Sequence, residues 1–203
     1  TGALPAQDEP ATPRRVDDGW PVLAAAFDLG KVSAPVCNVN LILAYDDEYS
    51  IQYLGTNLRG WWRRDPGMTT EKLLSLANTQ REDLLRRCAA QDKVIHDEAA
   101  ATGGEDYAKL CALAYSQSIA ANKVVAGPQG QLFMFPKENF SNGCIGTVDV
   151  IYPQAPLYLL YSLPLARASV LPLLEYAAMP RWKFDFAPHD LGQYPLANGQ
   201  VYG

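Results

Sequence analysis

The chain has little of what usually betrays a function. His96 and His189 are its two histidines, and they stand in no HxH or HExxH pattern, so a zinc site is not expected. Cys37, Cys88, Cys111 and Cys144 form no CxxC pair, which excludes a disulfide scaffold and a thiolate metal cage. No P-loop, dinucleotide-binding glycine pattern or GxSxG elbow occurs. No apolar run approaches the roughly 20 residues of a membrane span. Positive charge is in deficit: 17 Lys and Arg face 22 Asp and Glu, for a net charge of -5 and a pI near 5.0. Basic residues cluster only as the pairs Arg63-Arg64 and Arg86-Arg87. Binding to nucleic acid through phosphate neutralisation is therefore not expected. The opening TGALPAQDEP lacks a charged segment followed by an apolar one, so no signal peptide is expected within the chain. A secreted protein after processing would look the same.

What is present describes an ordinary globular chain. Hydrophobic residues make up 48% of 203 positions and charged residues 19%, enough for one domain or slightly more. Residues 1–19, rich in proline and acids, read as a flexible leader or linker. Residues 20–60 read as strands: Val22–Leu29, Cys37–Tyr45 and, after the acidic turn Asp46-Asp47-Glu48, Ile51–Leu54. Two or three strands make no stable sheet alone, so they are expected to be the edge of something larger.

Residues 61–203 read as mostly helical. Beyond Pro66-Gly67, Thr69 is a candidate N-cap with Glu71 in the first turn, and apolar spacing predicts one helix to Ala101. Gly103-Gly104 stops it, and a second helix runs from Glu105 to about Ala126, giving an αα-hairpin. With the turn there, Cys88 lies level with Ile119 rather than Cys111, an offset of about 12 Å at roughly 1.5 Å per residue. The two thiols are thus expected free, and buried thiols are the default. Gln131–Phe135 reads as a short strand, and Leu157–Leu163 with Leu165–Ala178 as a helix pair interrupted at Pro164. The C-terminal PRWKFDFAPHDLGQYPLANGQVYG is aromatic and without period, hence loop-like. These elements do not close one core, and the chain reads as a piece.

Two loops carry the suggestive chemistry. Lys137 to Asp149 holds Glu138, Asn139, Asn142 and Asp149 around glycines, and Trp182 to Tyr194 holds Asp185, His189 and Asp190 among aromatic residues. If the loops meet, they bring separated carboxylates, an imidazole and amide donors to an aromatic pocket suited to acid–base hydrolysis. Asn, Asp and Gly also simply make turns. His189 and Asp190 are neighbours, which seldom face each other, so a histidine bonded to backbone is the plainer expectation. His96 is expected to be solvated or favoured by a helix C-terminus. Cys144 has nothing near it in sequence to lower its pKa, so a buried thiol is expected rather than a nucleophile. No metal is assigned, although backbone carbonyls and Asp side chains leave calcium open.

The strings YDDEYSIQYLG, GGEDYAKLCALAYSQSIAANK, KENFSNGCIGTVDVIYPQAPLYLLY and WKFDFAPHDLGQYPLANGQVYG resemble the glutaminase A family of fungi and bacteria. The resemblance runs from about Trp20 to Gly203. It implies a mainly α fold, part of an α/α toroid of six helical hairpins, preceded by a few strands from an adjoining β-sandwich domain. It implies hydrolysis of the side-chain amide of L-glutamine to glutamate and ammonia by a secreted, periplasmic or cell-surface enzyme without cofactor. The family's toroid continues past the position of Gly203, so a second polypeptide or C-terminal half is the implied partner. Ser116, Asn122 and Gln193 depart from the family pattern, which has Arg, His and Thr there.

By weak analogy with β-glucosidases on a related toroid, Glu138 and Asp149 take the carboxylate roles, with His189 as a further catalytic group. Asn139, Asn142, Asp190, Tyr194 and Trp182 are the expected substrate contacts. One carboxylate would activate water and the other acid, or His189, would protonate ammonia, with Asn142 or loop N–H groups holding the oxyanion. The substrate's α-carboxylate needs a cation, expected from the missing half. The alternatives are a glycoside hydrolase, with carboxylates about 5–10 Å apart in an aromatic cleft, and a non-catalytic binding fragment.

Overall fold

Apolar runs become strands only where a neighbour can take their backbone hydrogen bonds. In the computed structural model, which describes residues 4–11, 13–33 and 36–202, the runs Val22–Leu29 and Cys37–Tyr45 have no such neighbour, and neither is a strand. Positions 1–3 and 12 of the expected leader, 34–35 of the expected strand segment and 203 lie outside the described residues. Residues 1–43 make a unit of their own, with no helix or strand among the described residues. Arg14 pairs there with Glu9 and Asp18, while Leu23 is 98% exposed.

Residues 44–203 form the second unit. It begins with the hairpin of β1 (Ile51–Tyr53) and β2 (Thr56–Leu58), followed by a single 3-10 turn at Trp61–Arg63. α1 (Thr70–Thr79) is capped by the Thr69 hydroxyl, which accepts from Lys72 N–H at 3.3 Å. The single helix expected to Ala101 is broken at Gln80, where ψ is 3°. Just before it the Thr79 hydroxyl donates back to the Ser75 carbonyl at 2.8 Å, a side-chain bond that competes with the helical ladder.

α2 (Arg81–Ala120) reverses at Gly104, whose φ of 81° and ψ of -179° belong to no helix. In an unbroken helix Asp92 and Ile119 would stand about 40 Å apart at roughly 1.5 Å per residue. Here they line one cleft, so the expected hairpin is present. His96 staples the turn, contacting Asp97 and, across it, Glu105. All four cysteines are free, but only Cys144 is buried, while Cys37 and Cys88 are exposed because helix and chain leave them facing outward.

The expected helical tail to Ala126 is instead β3 (Asn122–Ala126), paired antiparallel to β4 (Leu132–Pro136), where Val124 and Val125 suit a pleated surface. α3 (Val148–Tyr161) begins nine residues earlier than expected and contains Pro153 and Pro156. Proline's fixed φ is helical, and the bonds it forgoes leave the carbonyls of Asp149 and Tyr152 free on an exposed face. α4 (Leu163–Ala177) places Pro164 in its first turn, where the missing N–H costs little. β5 (Leu196–Ala197) adds in parallel to β1, giving the order β2-β1-β5. Among the described residues no helix is long and apolar enough to cross a membrane.

The core lies where β4 meets α4 and β1. Phe133 and Phe135 are fully buried on one face of β4 and pack on Tyr53, edge-on and tilted respectively, and the Tyr53 hydroxyl donates to the Pro172 carbonyl at 2.9 Å. Met134 faces the other way, onto Tyr158 and Ala168. Both faces of β4 are therefore covered, which fixes the end of the strand from which the Lys137 loop departs. The acidic turn is clamped from outside: Arg63 pairs with Asp46 and Lys123 with Asp47.

Gly104→Ala should destabilise the chain by about 1–3 kcal/mol, because its backbone conformation is nearly glycine-only. An unchanged denaturation midpoint would refute that. Burial alone would raise Asp47, yet hydrogen bonds from Lys123 and Ser50 hold its carboxyl below the usual range. The clamp's contribution should therefore be complete above about pH 4 and fade as pH falls through the depressed native value. Asp47→Asn should remove that part of the acid dependence, read from thermal midpoints across a pH series.

Candidate functional site

The two loops meet because their backbones pair with each other. Ile145 N–H donates to the Gly192 carbonyl and Leu191 N–H to the Ile145 carbonyl, both at 2.9 Å. Tyr194 N–H reaches the Gly143 carbonyl at 2.9 Å, and Val148 N–H the His189 carbonyl at 2.8 Å. Glu138 N–H closes the first loop onto the Cys144 carbonyl at 2.8 Å. Gly192 permits the close passage: a Cβ there would sit 2.1 Å from the Leu196 carbonyl oxygen, and its φ is 133°.

This pairing brings Glu138, Asp149 and His189 together, with one polar atom of each within 4.8 Å of the others. Glu138 leaves the end of β4, Asp149 sits in the first turn of α3, and His189 lies on the C-terminal loop. His189 Nε2 stands 3.7 Å from Asp149 Oδ2. The other ring nitrogen faces Asp190, contrary to the expectation for sequence neighbours, because the loop curls around that side chain. Nδ1 lies 3.0 Å from Asp190 Oδ2. A carboxylate only accepts, so the imidazole proton on that side is donated to Asp190 and Nε2 is left free toward the site.

Asp190 is fully buried and accepts three backbone N–H bonds, from Gly192 at 2.8 Å, Val201 at 3.0 Å and Tyr202 at 3.2 Å. The Tyr202 ring lies against the imidazole at 4.9 Å between centroids. Glu138 Oε2 accepts from the Ser141 hydroxyl at 2.7 Å, while its Oε1 is buried without a partner. Cys144 lies among these acids, and burial, then the charges of Asp190, Glu138 and Asp149, push its thiol up to about 11. It is no nucleophile at neutral pH.

A cleft of about 310 Å³ opens beside Glu138 and is lined by Lys137, Asn139, Asn142, Gln193 and Tyr194. Asn142 Oδ1 holds the loop by accepting from Cys144 N–H at 2.8 Å, which leaves its amide N–H₂ available. Gln193 Nε2 donates to the Asn142 carbonyl at 2.9 Å. Of the expected substrate contacts, Asn139, Asn142 and Tyr194 line this cleft, whereas Asp190 sits behind His189. Trp182 is elsewhere: it packs on Tyr176, Phe184 and Phe186 and donates to the Phe186 carbonyl at 2.7 Å.

The triad of Glu138, Asp149 and His189 is also the donor set a divalent cation could use, with Asp190 behind the imidazole. It offers two carboxylates and a nitrogen, whereas calcium takes about six to eight oxygens. Lys137 and Gln193 were missed as lining residues, since neither type marks chemistry by itself. The position of Lys137 directly before Glu138 was the one available hint. The departures at Ser116 and Asn122 fall outside the cleft: Ser116 lies between the arms of α2, and the Asn122 amide donates to Tyr158 and Gln154.

Comparison with known proteins gives this site a family. Residues 104–203 match the family model of the glutaminase A six helical-hairpin domain, and residues 1–98 that of a domain of unknown function, DUF5127. The chain is 29% identical over 197 residues to glutaminase A of Aspergillus oryzae, covering 94% of this chain and 28% of that protein. It is 35% identical over 108 residues to a probable glutaminase of Arthroderma benhamiae, covering 52% of this chain and 12% of that protein. The chain thus spans less than a third of the length of these curated relatives. No solved structure matches it. The hairpin match, begun at the Gly104 turn and carried through both site loops, places residues 104–203 in the glutaminase A family.

Proposed function

We propose that the chain carries the site of a glutaminase-type hydrolase, which cleaves the side-chain amide of L-glutamine to glutamate and ammonia. The observation that carries this is the convergence of Glu138, Asp149 and an Asp190-oriented His189, with Glu138 also lining the adjoining small cleft. Asp149 orients a water, His189 Nε2 takes its proton, and the oxygen adds to the carboxamide carbon. The Asn142 amide donates to the oxyanion that forms. The C–N bond then breaks as the imidazolium returns the proton to nitrogen, which leaves as ammonia. The buried Asp190, with Glu138 and Asp149 nearby, stabilises the transient imidazolium.

The glycoside alternative fits less well. One oxygen of Glu138 lies within 4.8 Å of one of Asp149, which is tight for the roughly 6.5–9.5 Å between carboxyl groups that inverting glycosidases use to admit a water. Tyr194 is also the one aromatic residue of the C-terminal loop that lines the cleft. A partner region belongs to the proposal: Leu85, Leu110 and Leu113 on α2 are each more than half exposed, as helices awaiting neighbours would be. Further hairpins of an α/α toroid would cover them. A secreted, periplasmic or cell-surface location completes the proposal.

Ammonia release from glutamine by the whole protein tests it. Asp149→Ala should lower turnover by about 10²–10⁴-fold with an unchanged melting curve, because the side chain is exposed. Full activity would remove Asp149 from the mechanism. Asp190→Asn should lower turnover and also cost roughly 1–3 kcal/mol, since an amide N–H₂ would face backbone donors. A variant of native stability and native pH–rate profile would show that Asp190 does not orient the histidine.

A further inference from the structure

Lys137 is the single cation among the residues lining the cleft. The cation acting on it, Lys123, is already paired with Asp47. Among the described residues no carboxylate lies within ion-pair distance of Lys137. Its ammonium stands 5.0 Å above the centre of the Tyr194 ring. A ring face occupies one side of an ammonium that has three donors, so the rest are left to the cleft.

The position is built, not incidental. Lys137 N–H donates to the Ala121 carbonyl at 3.0 Å, and the residue pairs across the loop with Ile145. Its backbone is therefore fixed beside that of Glu138, so the cation and one site carboxylate come from consecutive residues. Burial, and then the charge of Lys123, make the ammonium easier to deprotonate, with Asp47 opposing them weakly. An incoming anion would offset both effects.

We propose that Lys137 binds the α-carboxylate of an amino-acid substrate, holding it so that the side-chain carboxamide reaches Glu138, Asp149 and His189. The cleft of about 310 Å³ suits a ligand of that size and lies at the lower end of the roughly 300–1,000 Å³ of ligand pockets. The ligand class is a carboxylate separated from an amide by a short flexible chain. The cation expected from a missing half of the domain is then supplied by this chain. The assignment rests on the amide-hydrolase reading for its choice of amino acid, but the anion contact can be tested apart from it.

The test uses the whole protein with Lys137→Gln and Lys137→Arg, their folding checked by thermal midpoint. L-glutamine and its α-carboxyl methyl ester are compared by ammonia release, and L-glutamate binding is measured by calorimetry. Lys137→Gln should raise KM for glutamine by about 10- to 100-fold, the weight of one charge-assisted hydrogen bond. It should change kcat little, leave KM for the ester unmoved, and weaken glutamate binding by a similar factor. Lys137→Arg should retain most of the binding. Equal losses on glutamine and ester would make Lys137 a packing residue and overturn the proposal. If the protein releases no ammonia yet binds glutamate in a Lys137-dependent way, the hydrolase reading fails and the carboxylate site stands. Binding of glutamate that ignores Lys137, or no binding at all, overturns the site itself.

Discussion

Asp190 is a carboxylate with no exposed surface, and such a group persists only where hydrogen bonds replace the water it has lost. Three backbone N–H groups and the His189 ring do so, and each belongs to a segment that the site needs held. The Gly192 bond curls the loop so that its carbonyl and the Leu191 N–H both face Ile145 of the Lys137 loop. The bonds from Val201 and Tyr202 pull the C-terminal residues back across the imidazole. Orientation of His189 and closure of the loop are thus one event. A hydrophobic replacement would leave three buried N–H groups without acceptors and the ring free to turn.

The same economy shows in the distribution of charge. Acids crowd one wall of the site, where Cys144 is kept protonated by burial and by their field. The cations Arg63 and Lys123 are neutralised by Asp46 and Asp47. Lys137 is the remainder, and it faces the cleft. A ligand with a carboxylate at one end and a polar, uncharged group at the other meets opposite potentials along its length, which fixes its direction of entry as well as its affinity. A saccharide has no charge to respond to that gradient.

Part of this was legible in the sequence, for physical reasons that differ by element. Glycine pairs and proline punctuate strongly, so the hairpin at Gly104, the strand β4 and the break near Pro164 could be placed. The helix start at Val148 could not, because Pro153 and Pro156 read as breakers although their φ is helical and their freed carbonyls face outward on this surface. β3 was hidden because Asn122 to Ala126 continues a helical run and becomes a strand only through pairing with β4. Val22–Leu29 shows the reverse: a strand-like composition without a partner stays unpaired. The site residues Glu138, Asp149 and His189 stood out by type. Their convergence depends on bonds between positions some fifty apart, which no local pattern carries. Trp182 was drawn toward the site by its aromatic neighbours, but those neighbours are what it packs against.

The sequence neighbours His189 and Asp190 show how a general rule fails in a particular loop. Adjacent side chains diverge in a regular strand, where successive Cβ atoms alternate. Here no regular element is present at these positions: Gly192 adopts a φ of 133° two residues later, and the Asp190 side chain folds back under its own loop to take the Gly192 N–H. That turn swings the carboxylate to the same side as the imidazole. Adjacent acid and base can therefore form a working pair wherever the acid also serves as the hub of a tight turn. The feature visible in the sequence is the glycine two residues on, and the oriented imidazole is its consequence.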